Sequence, residues 1–345
     1  MTADQPPTER PGERVRAHLF LLAGQHPGHD HAGALADAHA YGLAAEAAGY
    51  AGVWLAEHHF VPYGVCPSAV AFAAHLLGAT RRITVGTAAC VLSDRHPVAL
   101  AEETALLDAL SGGRFRLGVG RGGPWVDLEV FGTGPDRYAH GFPDAVEMLH
   151  RWLSGAAEVA GVGRFPFRAV RVVPRPPAPI PFWVAATSPG TVDLAARYGR
   201  PVLLGLHADL PEKAALLRRY ARVAAEHGHD PAAVPHASAH LAWVADSDAE
   251  AAGTVRDHLP GLLAGTRHHV RLDGAPAGPA DPHAYADHLT AIHPVGSPDR
   301  CRERVAAAAA LPGVRHLLFQ VEVTGDRRRT LSTVDRFAAE VLALP

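Results

Sequence analysis

The chain has 345 residues, 48% hydrophobic and 19% charged, which is enough apolar material for a sizeable core and too little charge for a disordered polymer. Its 32 basic and 35 acidic side chains give a formal charge of −3 with no basic stripe, which argues against nucleic acid as a partner. Cys66, Cys90 and Cys301 are odd in number and lack CxxC spacing, so neither a disulfide framework nor a cysteine zinc site is expected, and a cytoplasmic setting fits.

Residues 1–13 are rich in Pro, Glu and Arg, lack the apolar run of a signal peptide, and read as a disordered tail; residues 14–345 read as a single domain. An apolar run over 15–22 predicts a first buried strand, and 33–49 follows with helical spacing. Residues 52–56 predict a second strand, followed by a loop through Pro62, Gly64 and Pro67 and an Ala/Leu helix ending at Gly78. A third strand over 82–89 precedes a helix that starts at Pro97 and stops at Gly112 and Gly113. A fourth strand over 114–120 leads through a glycine-rich loop to a helix over about 138–153.

The stretch 165–173 reads as an excursion. Strands follow over 181–186, 201–205, 235–245 and 314–321, with helices over 188–198, 210–227, 248–259, 298–310 and 328–344. Between them, 261–285 is a long connection dominated by Gly, Pro, His and Asp, of the kind that is usually functional or mobile. Eight strands alternating with helices predict an α/β (β/α)8 TIM barrel with a long excursion after the seventh strand, its chemistry at the C-terminal strand ends. An open doubly wound sheet is the alternative. No apolar run reaches the roughly twenty residues of a membrane-crossing helix.

Several residues at those strand ends can carry chemistry. Glu57, His58 and His59 follow the second strand, and adjacent side chains at a strand end point to opposite sides, so one histidine is expected to face the pocket. Residues 118–123 spell a formal GxGxxG, but Pro124 and Trp125 follow rather than an amphipathic helix, so a glycine-rich loop with Arg121 as a phosphate ligand is the better reading. Ser188, Pro189, Gly190 and Thr191 start a helix just after the fifth strand. They read either as an ordinary N-cap or, with Arg121, as a monophosphate cradle at a helix N-terminus. The 23 histidines show no HExxH, and no metal site is expected; no GxSxG elbow points to a hydrolase.

The segment AEHHFVPYGVCPSAVAFAAHLLGATRRITVGTAACVLSDRHPVALAEETALLDALSGGRFRLGVGRG, from Ala56 to Gly122, resembles the bacterial luciferase-like flavin monooxygenases, in particular the luciferase α subunit. The likeness continues through VFGTG at Val130 to Gly134, ATSPGT at Ala186 to Thr191, and HPVGSPDRC near the end. It implies a (β/α)8 barrel, usually dimeric, that binds FMN or deazaflavin F420 at the strand C-termini. By position His58 matches a catalytic histidine that assists the flavin C4a-hydroperoxide. Arg121 matches a phosphate-binding arginine, Ser188 and Thr191 its hydroxyl ligands, and Arg137 a second phosphate arginine. Ala88 and Ala89 match a cis non-prolyl bond behind the flavin ring. His59 and Glu102 match residues at or near the subunit interface, and are read as structural.

Two departures matter. Gly120 stands where the luciferase α subunit has a reactive cysteine, and Thr187, beside Ala186, replaces a glutamate whose backbone lies near the flavin, so luminescence is not implied. No nicotinamide site is legible. The resemblance therefore implies a two-component monooxygenase that takes reduced FMN from a separate flavin reductase and uses O2 to oxygenate a small organic substrate. An F420-dependent hydride-transfer oxidoreductase and a non-catalytic flavin-binding protein are the alternatives. Phe20, Trp125, Trp183 and His207 are expected pocket walls, and the Ala- and Arg-rich composition fits a high-GC genome in which such enzymes tailor natural products.

Overall fold

The computed structural model describes residues 15–268, 270–271, 274–275 and 278–344. Eight strands form the barrel: β1 (Arg16–Leu21), β2 (Gly52–Leu55), β3 (Thr84–Thr87), β4 (Phe115–Gly120), β5 (Phe182–Ala185), β6 (Val202–Leu204), β7 (His236–Leu241) and β8 (Val314–Gln320). Each pairs in parallel with its neighbours in chain order, and β8 closes on β1 through the register Arg16↔His316 to Phe20↔Gln320. The disordered tail expected over 1–13 lies outside the described residues.

The main helices are α1 (His31–Ala47), α2 (Ala69–Ala79), α3 (Pro97–Ser111), α4 (Phe142–Trp152), α5 (Pro189–Arg197), α6 (Leu210–Glu226), α7 (Asp248–Leu263), α8 (Pro282–Ile292), α9 (Pro298–Ala309) and α10 (Arg327–Arg336). Local sequence explains their starts. Asp30, Ser68, Ser247, Asp281 and Asp326 each accept a hydrogen bond from a first-turn amide, and Asp209 with Glu212 forms a full capping box. Helix α3 stops where Gly112 takes φ 65°.

Several expected boundaries shift. The third strand is interrupted, because the chain turns at the cis Ala88–Ala89 peptide and re-pairs at Cys90–Val91 against Val119 and Gly120. At this kink Gly118 lies so close to β3 that a Cβ would sit 2.1 Å from Thr87 O. The seventh strand leaves the barrel at Ala242, and Trp243–Val244 pair with Val295–Gly296 instead. Helix α7 runs past Pro260, which sits in its last turn, and continues as a 3-10 turn over Ala264–His268. Asp281 and Pro282 then start α8, so the excursion after β7 carries helix at both ends. A π-turn, Arg137–Gly141, replaces the start of the helix expected from Tyr138. The stretch before β5 holds an antiparallel pair, Glu158–Val159 with Val170–Arg171.

Two cores hold the barrel. One fills the layer between strands and helices; the other fills the barrel itself with Phe20, Trp54, Ala88, Trp183, Leu203, Ala239, Leu241 and Leu318 among others. Toward the N-terminal end His18 Nε2 lies 2.9 Å from His316 Nδ1, with Trp54 and Trp183 packed edge-on around them. Trp183 Nε1 donates to Pro235 O, 2.9 Å away and just before β7 begins, so its ring plugs the barrel floor. Bulky rings at the floor leave the opposite, C-terminal end for the site.

Candidate active site

Small residues cluster at the C-terminal ends of β2 to β5. Ala56, Ala88, Ala89, Gly120 and Ala185 follow one another around the mouth, and a Cβ on Gly120 would sit 3.6 Å from those of both Ala89 and Ala185, while Ala186 packs outward between strand and helices. The result is a flat shelf, since no side chain longer than a methyl group rises from it. His58 stands at its edge on the inward face, in phase with Trp54 and Ala56. The His58 amide donates to Cys66 O at 3.0 Å and its ring meets Tyr63 edge-on at 5.2 Å. Gly64 makes this possible, because a Cβ there would lie 2.6 Å from His58 Nδ1 and 2.7 Å from Leu22 O.

His59 points the other way. Its Nε2 lies 3.9 Å from Glu57 Oε1, and its ring packs edge-on against Phe131. Glu57 is buried, yet accepts from the amides of Ala69 (3.0 Å) and Val91 (2.9 Å) and from Arg95 Nη2 (3.1 Å). Burial alone would raise its pKa; His59, Arg95 and the two amides outweigh it and hold the carboxyl below its ordinary value. His59 is raised in turn, because Glu57, Asp127 and Asp94 outweigh its burial. Asp94 and Asp127 are pushed up to about 6 by burial. Glu57 therefore ties the β2 exit to the β3 exit and to α2, which fixes the loop carrying His58.

A candidate anion cradle lies at the exits of the adjacent strands β4 and β5. Ser188 occupies the N-cap of α5 but makes no capping bond; its Oγ turns instead to Thr191 Oγ1, 3.1 Å away. That arrangement disfavours the plain N-cap reading and leaves two hydroxyls and first-turn amides at a helix N-terminus, where the dipole favours an anion. Arg121 follows β4 with its guanidinium over the rings of Tyr138 (5.8 Å) and Phe142 (5.3 Å), and among the described residues it forms no ion pair. Arg137 is placed differently: it donates to Arg95 O and lies 4.8 Å over Phe165. Its pKa is lowered by burial. The cradle and the shelf together fit a planar ring bearing a phosphate tail.

The excursion after β7 arches over this mouth. Leu262 packs beside Gly24 after β1, Gly265 beside Tyr63, and Val270 O accepts from Trp125 N at 3.0 Å, extended by a bridge between Pro124 and Arg271. Of the expected pocket walls, Phe20 lies in the inner wall and Trp125 under the excursion. His207 shares a cleft of about 510 Å³ with Thr187, Pro189, Glu212 and Lys213. Trp183 is a correction. Its ring belongs to the barrel floor, because its indole N–H needs a buried partner and finds Pro235 O there.

Sequence reasoning missed Tyr63, Tyr138, Tyr285, Gln320 and Glu322. The last two sit at the end of a strand whose apolar neighbours hid them, and two polar residues at alternate positions, 320 and 322, were the available signal.

These features give a parallel (β/α)8 barrel with a methyl-lined shelf, two hydroxyls and an arginine at its C-terminal mouth. The model of the luciferase-like monooxygenase family matches residues 15–316, and the chain belongs to that family of flavin-dependent enzymes. It is similar to the alkanal monooxygenase alpha chain of the Kryptophanaron alfredi symbiont, 28% identical over 343 residues that cover 94% of this chain and 96% of the relative. The corresponding chain of Photorhabdus luminescens is 28% identical, covering 87% and 89%. Among solved structures, a monooxygenase from Streptomyces bottropensis superposes with TM-score 0.81 at 23% identity, over 95% of this chain and 99% of that one. An F420-dependent secondary alcohol dehydrogenase superposes at 0.75 and 18% identity, over 96% and 100%. These structures share the barrel fold.

Proposed function

We propose that the protein is an FMNH2-dependent, two-component monooxygenase that oxygenates a small organic substrate. The observation that carries this reading is the cradle of Ser188, Thr191 and Arg121 beside a methyl-lined shelf edged by His58. Arg121 and the two hydroxyls hold the phosphate; Ala88, Ala89, Gly120 and the backbone of Ala186 and Thr187 flank the ring. Bound reduced flavin supplies two electrons to dioxygen, so that substrate, O2 and FMNH2 yield oxygenated product, water and FMN. His58 holds or moves a proton at the ring edge. The arch from α7 to α8 keeps water from the mouth.

Reduced FMN arrives from a separate flavin reductase. An exposed apolar patch of Phe60, Val130 and Phe131, with Leu106 and Leu110 on α3, supports a homodimer. Three buried, free cysteines and the absence, among the described residues, of a helix long and apolar enough to cross a membrane are consistent with the cytoplasm. Natural-product tailoring is the proposed setting.

The test is an anaerobic titration with reduced FMN and, separately, reduced F420, followed by mixing with oxygen. Tight FMN binding, reoxidation of the bound flavin far slower than of free FMNH2, and oxygen-dependent product establish the reading. Tight F420 binding with hydride transfer and no oxygen dependence replaces it with a dehydrogenase. Tight flavin binding with no turnover leaves a carrier.

A further inference from the structure

The half of the mouth built by β1, β7 and β8 differs from the methyl-lined shelf. Its wall is apolar: Phe20, Leu22, Leu241, Leu262 and Leu263 share one buried cluster, with Tyr63 and Tyr285 packed against it. Two polar residues break the pattern: Glu322, which accepts from the amides of Leu22 and Gly24, and Gln320. Gln320 ends β8 in register with Phe20 on one side and Leu241 on the other, and is 2% exposed. Alternation along β8 puts it on the inward face with His316, whose ring meets Trp54 and Trp183, and with Leu318 of the interior cluster. It is the uppermost of the three, nearest the mouth.

The amide's orientation is settled by its partner. Gln320 Nε2 donates to Glu322 O at 3.2 Å, and a carbonyl accepts only from the nitrogen end. Oε1 is therefore the free end, buried and without a hydrogen-bond donor among the described residues. A buried acceptor in an apolar wall is costly unless a donor reaches it. The shelf takes the flavin ring on the β2 to β5 side, so the molecule that meets this wall is the substrate.

We infer that Gln320 is a specificity-determining residue whose Oε1 accepts a hydrogen bond from the substrate. The substrate class that fits is a largely apolar molecule carrying one hydroxyl or N–H donor. The inference rests on the reading of the mouth as a flavin-bearing oxygenation site. A site built to satisfy a substrate donor rejects the analogue lacking it, because the buried acceptor is then left unpaired.

Three probes test this: 2-naphthol, 2-methoxynaphthalene, which keeps the ring and oxygen but lacks the donor, and naphthalene, which lacks both and is smaller. Each is titrated anaerobically into the wild-type protein saturated with reduced FMN, following ring fluorescence. The expected result is 2-naphthol binding about tenfold more tightly than either donor-free ring, roughly the effect of one hydrogen bond to a buried acceptor. Gln320→Met, close in volume, should erase that preference and leave FMN affinity within about twofold of wild type.

Equal affinities in the wild type, no binding of any probe, or a preference that survives Gln320→Met overturns the inference. So does a large loss of FMN affinity in the variant, which would assign the donor to the flavin. Failure of the monooxygenase reading shows separately, as no binding of reduced FMN before any naphthalene is added. The three probes are then compared on the flavin-free protein by the same criterion.

Discussion

Replacing Arg121 with alanine isolates the phosphate cradle. Its guanidinium is held by the rings of Tyr138 and Phe142 and forms no ion pair among the described residues, so the substitution strands no buried carboxylate partner. What is lost is a charge-assisted bond to phosphate, about 1.5–3 kcal/mol, which converts to FMN binding weaker by roughly 10- to 150-fold. Riboflavin has the same ring and no phosphate, and its affinity should change less than about twofold. Arg121→Lys keeps the charge but not the planar fork, and should fall between wild type and alanine. Fluorescence titration of both flavins at two salt concentrations reads the effect, since screening weakens an exposed phosphate contact and leaves ring stacking alone. Equal losses for FMN and riboflavin would refute the assignment of Arg121 to the phosphate.

His58→Ala should retain FMN binding but lose coupled oxygenation, with hydrogen peroxide released instead; unchanged product per flavin oxidised removes His58 from the mechanism. Glu57→Ala leaves two buried amides without their acceptor and Arg95 with Glu103 alone, and at about 1–3 kcal/mol for each orphaned amide should cost roughly 2–6 kcal/mol in urea denaturation. Because the folded pKa of Glu57 lies below its unfolded value, that contribution is present above the unfolded value and lost as pH falls through the folded one. A loss below about 1 kcal/mol contradicts the role given to Glu57. Lys213 is buried with its Nζ donating to Ala239 O, and burial lowers its pKa from 10.5 to about 7. The unfolded chain then binds more protons between those values, so stability should rise with pH across that window, and Lys213→Met should flatten the rise. An unchanged slope by urea denaturation at pH 7 and pH 10 would show that Lys213 folds charged.

Much of the barrel was legible from local signals. Apolar runs bounded by Gly and Pro marked the eight strands, and Pro97 and Ser188 marked helix starts, because both depend on neighbours in the chain. The misplaced boundaries have tertiary causes. Residues 242–244 carry the apolar character of a strand either way; whether they pair in the barrel or with Val295 and Gly296 is decided by residues fifty positions on. The helix expected to end at residue 259 runs through Pro260 to Leu263, because burial of Leu259, Leu262 and Leu263 in the interior cluster offsets the lost amide bond.

The site divides in the same way. Chain order alone puts His58, Arg121, Ser188 and Thr191 after strands, and so at one end of a parallel barrel, because a strand's exit is set by chain direction. Which side each side chain takes is set by the packed fold. It turned Ser188 from capping toward Thr191, sank Trp183 into the floor, tied Arg137 to Arg95 O, and left the amide oxygen of Gln320 without a donor in an apolar wall. Those outcomes depend on partners far away in the chain, and hydrogen-bond satisfaction across a packed interior has no local signature.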